Sequence, residues 1–422
     1  MVSQKEVEAA YQVAKERYAE VGVDTEAVLN KLQNIRVSLP CWQGDDIHGF
    51  LTPDAALSGG IGVSGNYPGI ARTPEELIKD LNEAFKLIPA KQRLQLHQIY
   101  AVTNGEKKDV SEVGPEDFKF WVDWARENDI YLDFNPTFFS SPKVKENMTL
   151  ASPEKSVRDY WIQVGKNSRA ISNYFGQEQN SQSINNFWIM DGMKDDPISR
   201  LAPRERLIDS LDQINEEEYD EKNTIESYEG KLFGTGVESY TVGSHYFYNN
   251  YALTRNKDWC MDIGHFHESE DPSDYLSAFL AFGKGMFLHI TRPVHWDSDH
   301  VPTLADRTIR MMSALIRDNL LSKTIIGLDF FDASINRVAA WVIGTRATQK
   351  ALLLGLLAPI DELKDAEDHY DFTLRLAETE ELKSFPFGAI WDEFCLRNDV
   401  PIGMDWYKDL KDYEKNVQFK RN

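Results

Sequence analysis

Four side chains able to grip a cation, Glu229, Asp262, His289 and Asp329, stand at the last or near-last positions of four successive β-like runs, TIESYE, WCMDI, MFLHI and TIIGLD. Each lies about one βα repeat from the next. If these runs are neighbouring strands of a barrel, the four groups meet at its carboxyl rim, where barrel chemistry gathers. Strand ends that are merely polar would account for one or two of them. Carboxylates crowded into a closed pocket repel one another unless protonated or neutralised by a cation. A mixed carboxylate–imidazole set suits Mn²⁺, Mg²⁺, Co²⁺ or Zn²⁺ better than a thiolate-seeking metal.

More candidates sit close by. His265 follows Asp262 in DIGH, where a turn can bring both to one ion. Asp297 and Asp299, two apart in HWDSDH, point the same way along an extended segment; taken alone, an Asx-type turn with solvated acids explains them equally well. Lys231 stands two residues after Glu229, placed either to polarise a substrate oxygen or to pair with that carboxylate. His97, inward on LQLHQIY, is a candidate for hydrogen-bonding a sugar oxygen or for a satisfied core position. Trp42, Phe134 and Trp188 lie near strand ends and are candidates for an apolar wall or for plain packing.

The elements that must position these groups alternate short β-rich runs with amphipathic helical segments, the signature of βα units. Eight runs are marked: Ile35–Cys41, Leu94–Tyr100, Ile130–Asn135, Ile184–Met190, Thr224–Glu229, Trp259–Ile263, Met286–Ile290 and Thr324–Asp329. Eight is the count that closes a (β/α)8 TIM barrel, with an open doubly wound sheet as the alternative. An amphipathic helix precedes the first run. The chain after about Val338 reads as a long C-terminal helical extension, too apolar to be a solvated appendage, which would cover the barrel or pack on a neighbouring subunit. The expected organisation is a barrel with its N-terminal helix over 1–340 and the extension over 341–422.

Composition narrows the partners. Over 422 residues, 46 Lys+Arg against 68 Asp+Glu leave a formal charge of −22, which disfavours nucleic acid and anionic lipid. Three scattered cysteines argue against a disulfide framework and for a reducing cytoplasm. No signal peptide or membrane-length apolar run is visible. Gly60-Ile-Gly62-Val-Ser-Gly65 matches GxGxxG literally but lacks the strand–turn–helix setting that phosphate binding requires. It reads as a glycine-rich loop, Gly59–Gly69, on the catalytic side. From these residues alone a metal-dependent sugar isomerase or epimerase is favoured. A metal-dependent barrel hydrolase of the phosphodiesterase or endonuclease type is the alternative, disfavoured by the charge, and a non-catalytic sugar-binding module is a third reading.

The strings SLPCWQGDD, GGIGVSGNYPG, DFNPTFFSSP, WIMDGMKD, KLFGTGVESYTVGS, MDIGHFH, RPVHWDSDH and GLDFFDASINRVAAWVIGTRATQKAL resemble those of bacterial L-rhamnose isomerases, colinearly from about Ala9 to Lys415. The resemblance implies a (β/α)8 barrel with a helical extension, a cytoplasmic homotetramer, two divalent ions with Mn²⁺ foremost, and conversion of L-rhamnose to L-rhamnulose. It implies Glu229, Asp262, His289 and Asp329 around one ion. His265, Asp297 and Asp299 would hold the second, with Asp262 bridging. Lys231 would contact the O1 end of the sugar, and His97 and Trp188 would border it. Catalytic roles would fall to Lys231, Asp297, Asp329 and His97, with Lys231 and Asp329 also touching substrate. The Gly59–Gly69 loop would cover the site. Asp332 is the competing choice for Asp329; strand-end placement favours Asp329.

Overall fold

The computed structural model describes residues 3–51, 56–57, 61–62, 65–234 and 236–421, apart from the side chains of residues 296 and 297. Two helices lead in, α1 (Gln4–Ala19) and α2 (Thr25–Gln33). Ser3 caps α1 in a reciprocal capping box with Glu6, and the helix buries Val7, Tyr11, Ala14 and Tyr18 along one stripe.

Eight parallel strands then close a barrel: β1 (Val37–Pro40), β2 (Arg93–His97), β3 (Tyr131–Asn135), β4 (Ser183–Trp188), β5 (Thr224–Glu229), β6 (Asp258–Asp262), β7 (Met286–Ile290) and β8 (Thr324–Leu328). Each pairs with its successor and β8 returns to β1. All eight expected runs are strands. β1 and β2 stop earlier than their apolar runs, because the chain turns into single 3-10 turns at Cys41–Gly44 and Gln98–Tyr100 whose residues stay buried.

Helices α3 (Pro74–Lys86), α4 (Lys119–Asn128), α5 (Lys155–Gln179), α6 (Leu201–Ile214), α7 (His245–Arg255), α8 (Asp274–Leu280) and α9 (Asp306–Arg317) fill the crossovers. Thr73 caps α3 ahead of Pro74, as the Thr-Pro-Glu start predicts. The last crossover helix, α10 (Arg337–Leu356), is buried on almost every side, and its Trp341 indole donates to the Pro40 carbonyl at 2.8 Å. It runs unbroken across 340, so the extension proper begins after Leu356.

That extension comprises α11 (Ile360–Asp368), α12 (Phe372–Leu382), α13 (Phe387–Arg397) and α14 (Asp405–Asn416). α13 buries Ile390, Trp391 and Phe394 on the outside of the barrel, whereas α12 buries nothing and leaves Phe372, Leu374 and Leu376 exposed. Cys41, Cys260 and Cys395 are all free thiols and buried. Among the described residues no helix is long and apolar enough to cross a membrane.

Candidate active site

Register brings the four cation-binding candidates together. Glu229 and Asp262 are the last residues of β5 and β6, His289 is the penultimate residue of β7 paired with Asp262, and Asp329 follows β8 directly. His289 Nδ1 lies 3.4 Å from Glu229 Oε2, 3.7 Å from Asp262 Oδ2 and 3.6 Å from Asp329 Oδ2. One ligand atom from each of the four falls within 4.8 Å of every other. Glu229, Asp262 and His289 are almost wholly buried.

Each group is aimed by a neighbour. The Asn186 amide donates to Glu229 Oε2 at 2.6 Å, and the Ser227 hydroxyl donates to Asn186 Oδ1 at 2.9 Å. The Gly264 amide donates to Asp262 Oδ1 at 2.6 Å. Gln95 Nε2 donates to the carbonyls of Ser38 (3.2 Å) and Leu328 (2.9 Å), which turns its Oε1 toward His289 Nε2, 3.0 Å away. Gly327 leaves the space for that amide: a Cβ there would stand 2.9 Å from Gln95 Nε2 and 2.8 Å from the Phe287 ring.

What these bonds leave over is telling. Among the described residues, Glu229 Oε1, Asp262 Oδ2 and His289 Nδ1 are buried without a hydrogen bond. A buried polar atom without a partner costs about 1–3 kcal/mol, and three aimed at one point form a donor set that fits a divalent cation. Without an ion the cluster holds protons. Burial, reinforced by Asp329 and Glu229, pushes the Asp262 carboxyl well up. Burial opposes charge on His289, yet the surrounding carboxylates outweigh it and raise its pKa. Burial also resists ionisation of Glu229, but His289 and His265 prevail and lower it.

Glu229, His289 and Asp329 border a cavity of about 320 Å³ at the strand C-termini, lined also by Trp42, His97, Phe139, Trp188, Lys231, His265 and Asp299. The His97 ring stands edge-on between Trp42 (4.8 Å) and Phe139 (5.5 Å), and burial takes its pKa down to about 3, so it is neutral near pH 7. Lys231 Nζ sits 4.5 Å above the Trp188 ring, a cation–π contact that holds the ammonium on the cavity wall. His265 Nδ1 lies 2.9 Å from the Gly230 carbonyl, a donation that makes Nε2 its acceptor nitrogen.

Most candidates read from the sequence therefore border one space, and Asp262 lies wholly buried beside His289 without lining it. The Asp297 side chain lies outside the described residues, as do Gly59, Gly60, Val63 and Ser64 of the glycine-rich loop; Ile61 of that loop borders the cavity. Two of the alternatives fall away: Phe134 in the wall, and Asp332 in place of Asp329. Phe134 points outward, packed on Phe118 (5.1 Å) and Phe175 (5.7 Å), and forms no part of the wall. Asp332, the competitor to Asp329, accepts from the Ser334 amide at 2.9 Å and serves a turn. Sequence reasoning missed Gln95, Asn186 and Asn135. The signal for the first two was an amide side chain in the middle of a strand, and for Asn135 it was a strand-end position like those of the acids.

A closed eight-stranded parallel barrel with such a cluster at its C-terminal mouth is a (β/α)8-barrel enzyme. The family model described as L-rhamnose isomerase (RhaA) matches residues 5–421. A protein of Lactiplantibacillus plantarum called L-rhamnose isomerase is 66% identical over 422 residues, covering 100% of this chain and 99% of its own. One of Listeria innocua serovar 6a with the same name is 56% identical over 421 residues, covering 100% of both chains. The chain belongs to the L-rhamnose isomerase family. Among solved structures it is similar in fold to an L-ribulose 3-epimerase (TM-score 0.48, 8% identity, 76% of this chain and 95% of that one). It is also similar to a D-allulose 3-epimerase from Methylomonas sp. (TM-score 0.43, 11% identity, 76% of this chain and 94% of that one).

Proposed function

We propose that this enzyme converts L-rhamnose to L-rhamnulose by a metal-assisted shift of hydrogen from C2 to C1. The C2–H bond breaks as a C1–H bond forms. The C2 alcohol becomes the carbonyl, the C1 carbonyl becomes an alcohol, and the hydroxyl proton passes from O2 to O1. Electrons stay within the molecule, so no redox cofactor is required. The observation that carries this reading is the orphaned trio of Glu229 Oε1, Asp262 Oδ2 and His289 Nδ1, in a chain of this family.

Glu229, Asp262, His289 and Asp329 would hold one divalent ion. His265, Asp297 and Asp299, sharing Asp262, would hold a second; Mn²⁺ is the ion we favour, with Zn²⁺, Co²⁺ and Mg²⁺ also suited to these donors. Bound there, such ions supply Lewis acidity to sugar oxygens. The protein's own groups do the rest. Lys231, fixed over Trp188, directs its ammonium at O1 and withdraws charge from the C1 carbonyl. His97, neutral in its aromatic slot, hydrogen-bonds a sugar hydroxyl without adding charge. Asp297 and Asp329 take up and return the hydroxyl proton, and Trp42, Phe139 and Trp188 exclude water from the reacting carbons.

A cytoplasmic homotetramer completes the proposal. Three buried free thiols support a reducing compartment, and the exposed apolar side chains of α12 support assembly. Light scattering of the purified protein tests the subunit count. The activity is tested by stripping the protein with chelator, restoring Mn²⁺ and assaying ketose formation from L-rhamnose beside hydrolysis of a phosphodiester. Ketose without hydrolysis is expected; no ketose with any divalent ion rejects the assignment. Abundant solvent deuterium at C1 would replace the hydride shift with proton transfer through an enediol.

A further inference from the structure

Several bonds tie the segment leading from the cavity wall into α3 to α14 and the turn after it, Gln418–Lys420. Ile61 borders the cavity. Just beyond it, Gly65 adopts φ +121°, and a Cβ there would stand 2.4 Å from the Ala333 carbonyl. Gly69 adopts φ +92°, and a Cβ there would stand 2.6 Å from Gln418 Cβ. Between them Tyr67 is held three ways. Its amide donates to the Ala333 carbonyl at 2.8 Å, its carbonyl accepts from Arg337 Nη1 at 2.7 Å, and its hydroxyl donates to Glu414 Oε2 at 2.8 Å.

The far side of this junction is equally determined. Arg421 donates to the Gly69 carbonyl at 2.9 Å and makes a bidentate pair with Asp80 at 2.7 Å on each arm. The Tyr413 hydroxyl donates to the same Asp80 at 2.6 Å. Asn336 bridges Glu414 (2.9 Å) and Gln418 (2.6 Å). Ala333 and Asn336 belong to the loop that carries Asp329 and Phe331 to the cavity. The Gln43 side chain, next to Trp42, both donates to and accepts from the Asp332 backbone, at 3.0 and 2.8 Å. A bonded path thus runs from α14 to two walls of the site. Buried ionic groups are a poor source of net stability and a good means of fixing one geometry, and Asp80, Glu414 and Arg421 are all buried here.

We propose that α14 and the turn after it latch the Gly65–Ala71 segment and so set Ile61 on the cavity wall, making Glu414, Gln418 and Arg421 positioning residues for substrate fit although none borders the cavity. As to substrate, the inference rests on the rhamnose isomerase reading above. The test uses the full chain loaded with Mn²⁺, as wild type, Arg421→Met, Arg421→Lys and Tyr67→Phe. Hydrogen exchange of the peptide covering 65–73 and the split between KM and kcat for L-rhamnose are the readouts. In Arg421→Met and Tyr67→Phe, exchange of that peptide should quicken about tenfold while peptides of β5 to β8 are unchanged. KM should rise about five- to tenfold with kcat nearly constant, and Arg421→Lys should recover part of the loss. Unchanged exchange, or quickened exchange with unchanged KM, overturns the latch. If Arg421→Met does not fold, Tyr67→Phe decides alone. If wild type forms no ketose, it is the functional assignment that fails, and the exchange comparison decides the latch.

Discussion

His289 presents one ring nitrogen to Gln95, 3.0 Å away, and the other to Glu229, 3.4 Å away. Because the Gln95 amide nitrogen is committed to two backbone carbonyls, its oxygen faces the ring. In the neutral imidazole the proton therefore sits on Nε2 and the lone pair on Nδ1, at the centre of the carboxylate cluster.

Removing that constraint should weaken ion binding before anything else. Gln95→Leu leaves His289 Nε2 without its acceptor, and loss of such an outer partner costs about 10–100-fold in metal affinity. Titration calorimetry with Mn²⁺ on the stripped protein measures it, with circular dichroism to confirm the fold. Wild-type affinity would mean that the ring is oriented by other contacts.

Lys231 separates chemistry from ion binding. Its ammonium rests on Trp188, so Lys231→Met should keep the bound ion and lower kcat about 10²-fold, the scale for losing one preorganised group that stabilises developing charge. Steady-state kinetics paired with elemental analysis distinguish the cases. A fall in metal content matching the fall in kcat would make the lysine structural.

Asp45 gives stability a pH dependence. It is buried, accepts from the Tyr100 hydroxyl and from the Gly49 amide (2.7 Å), and burial takes its pKa up to about 7. Unfolded, it titrates near about 3.9. A folded pKa raised above the unfolded one means the native state binds the extra proton, so this contribution is complete below about pH 4 and is lost as pH rises through about 7. The stability of wild type relative to Asp45→Asn should fall by about 1.4 kcal/mol per pH unit from about pH 5 to about pH 7. Urea unfolding of the metal-free proteins across that range reads the difference, and a flat one contradicts the assignment.

At the opposite end of the barrel, Arg93 Nε donates to Asp133 Oδ2 at 2.8 Å, both residues buried. Arg93→Leu leaves the buried carboxylate with the Ser38 and Ile184 donors but no counter-charge, and should cost about 3–5 kcal/mol of stability. Activity per folded molecule should be unchanged, because the pair stands at the stability face of the barrel and not at its mouth. Thermal unfolding together with specific activity on the soluble fraction tests both halves.

The barrel was legible in the sequence because each strand is a short β-rich run set off by amphipathic helices, and the acids were legible because β5, β6 and β8 end on or directly before them. Strand faces were not. Parallel strands are buried on both sides, so polarity does not say which way Phe134 points, and it faces the helices. Gln95 and Asn186 escaped for a related reason: they carry no chemistry by type and acquire a role only from what they meet in the fold, the His289 ring for Gln95 and the Glu229 carboxylate on the neighbouring strand for Asn186. The course of Arg421 back to Gly69 and Asp80 joins parts of the chain too distant for periodicity to connect.

Gly327 makes the barrel interior a three-piece fitting. Any larger residue there would collide with the Gln95 amide and the Phe287 ring, and a displaced amide would free the imidazole to rotate. Redesign of this interior must therefore exchange positions 95, 287 and 327 together, since a methyl group added opposite the glutamine would be felt as a change in which nitrogen faces the carboxylate cluster.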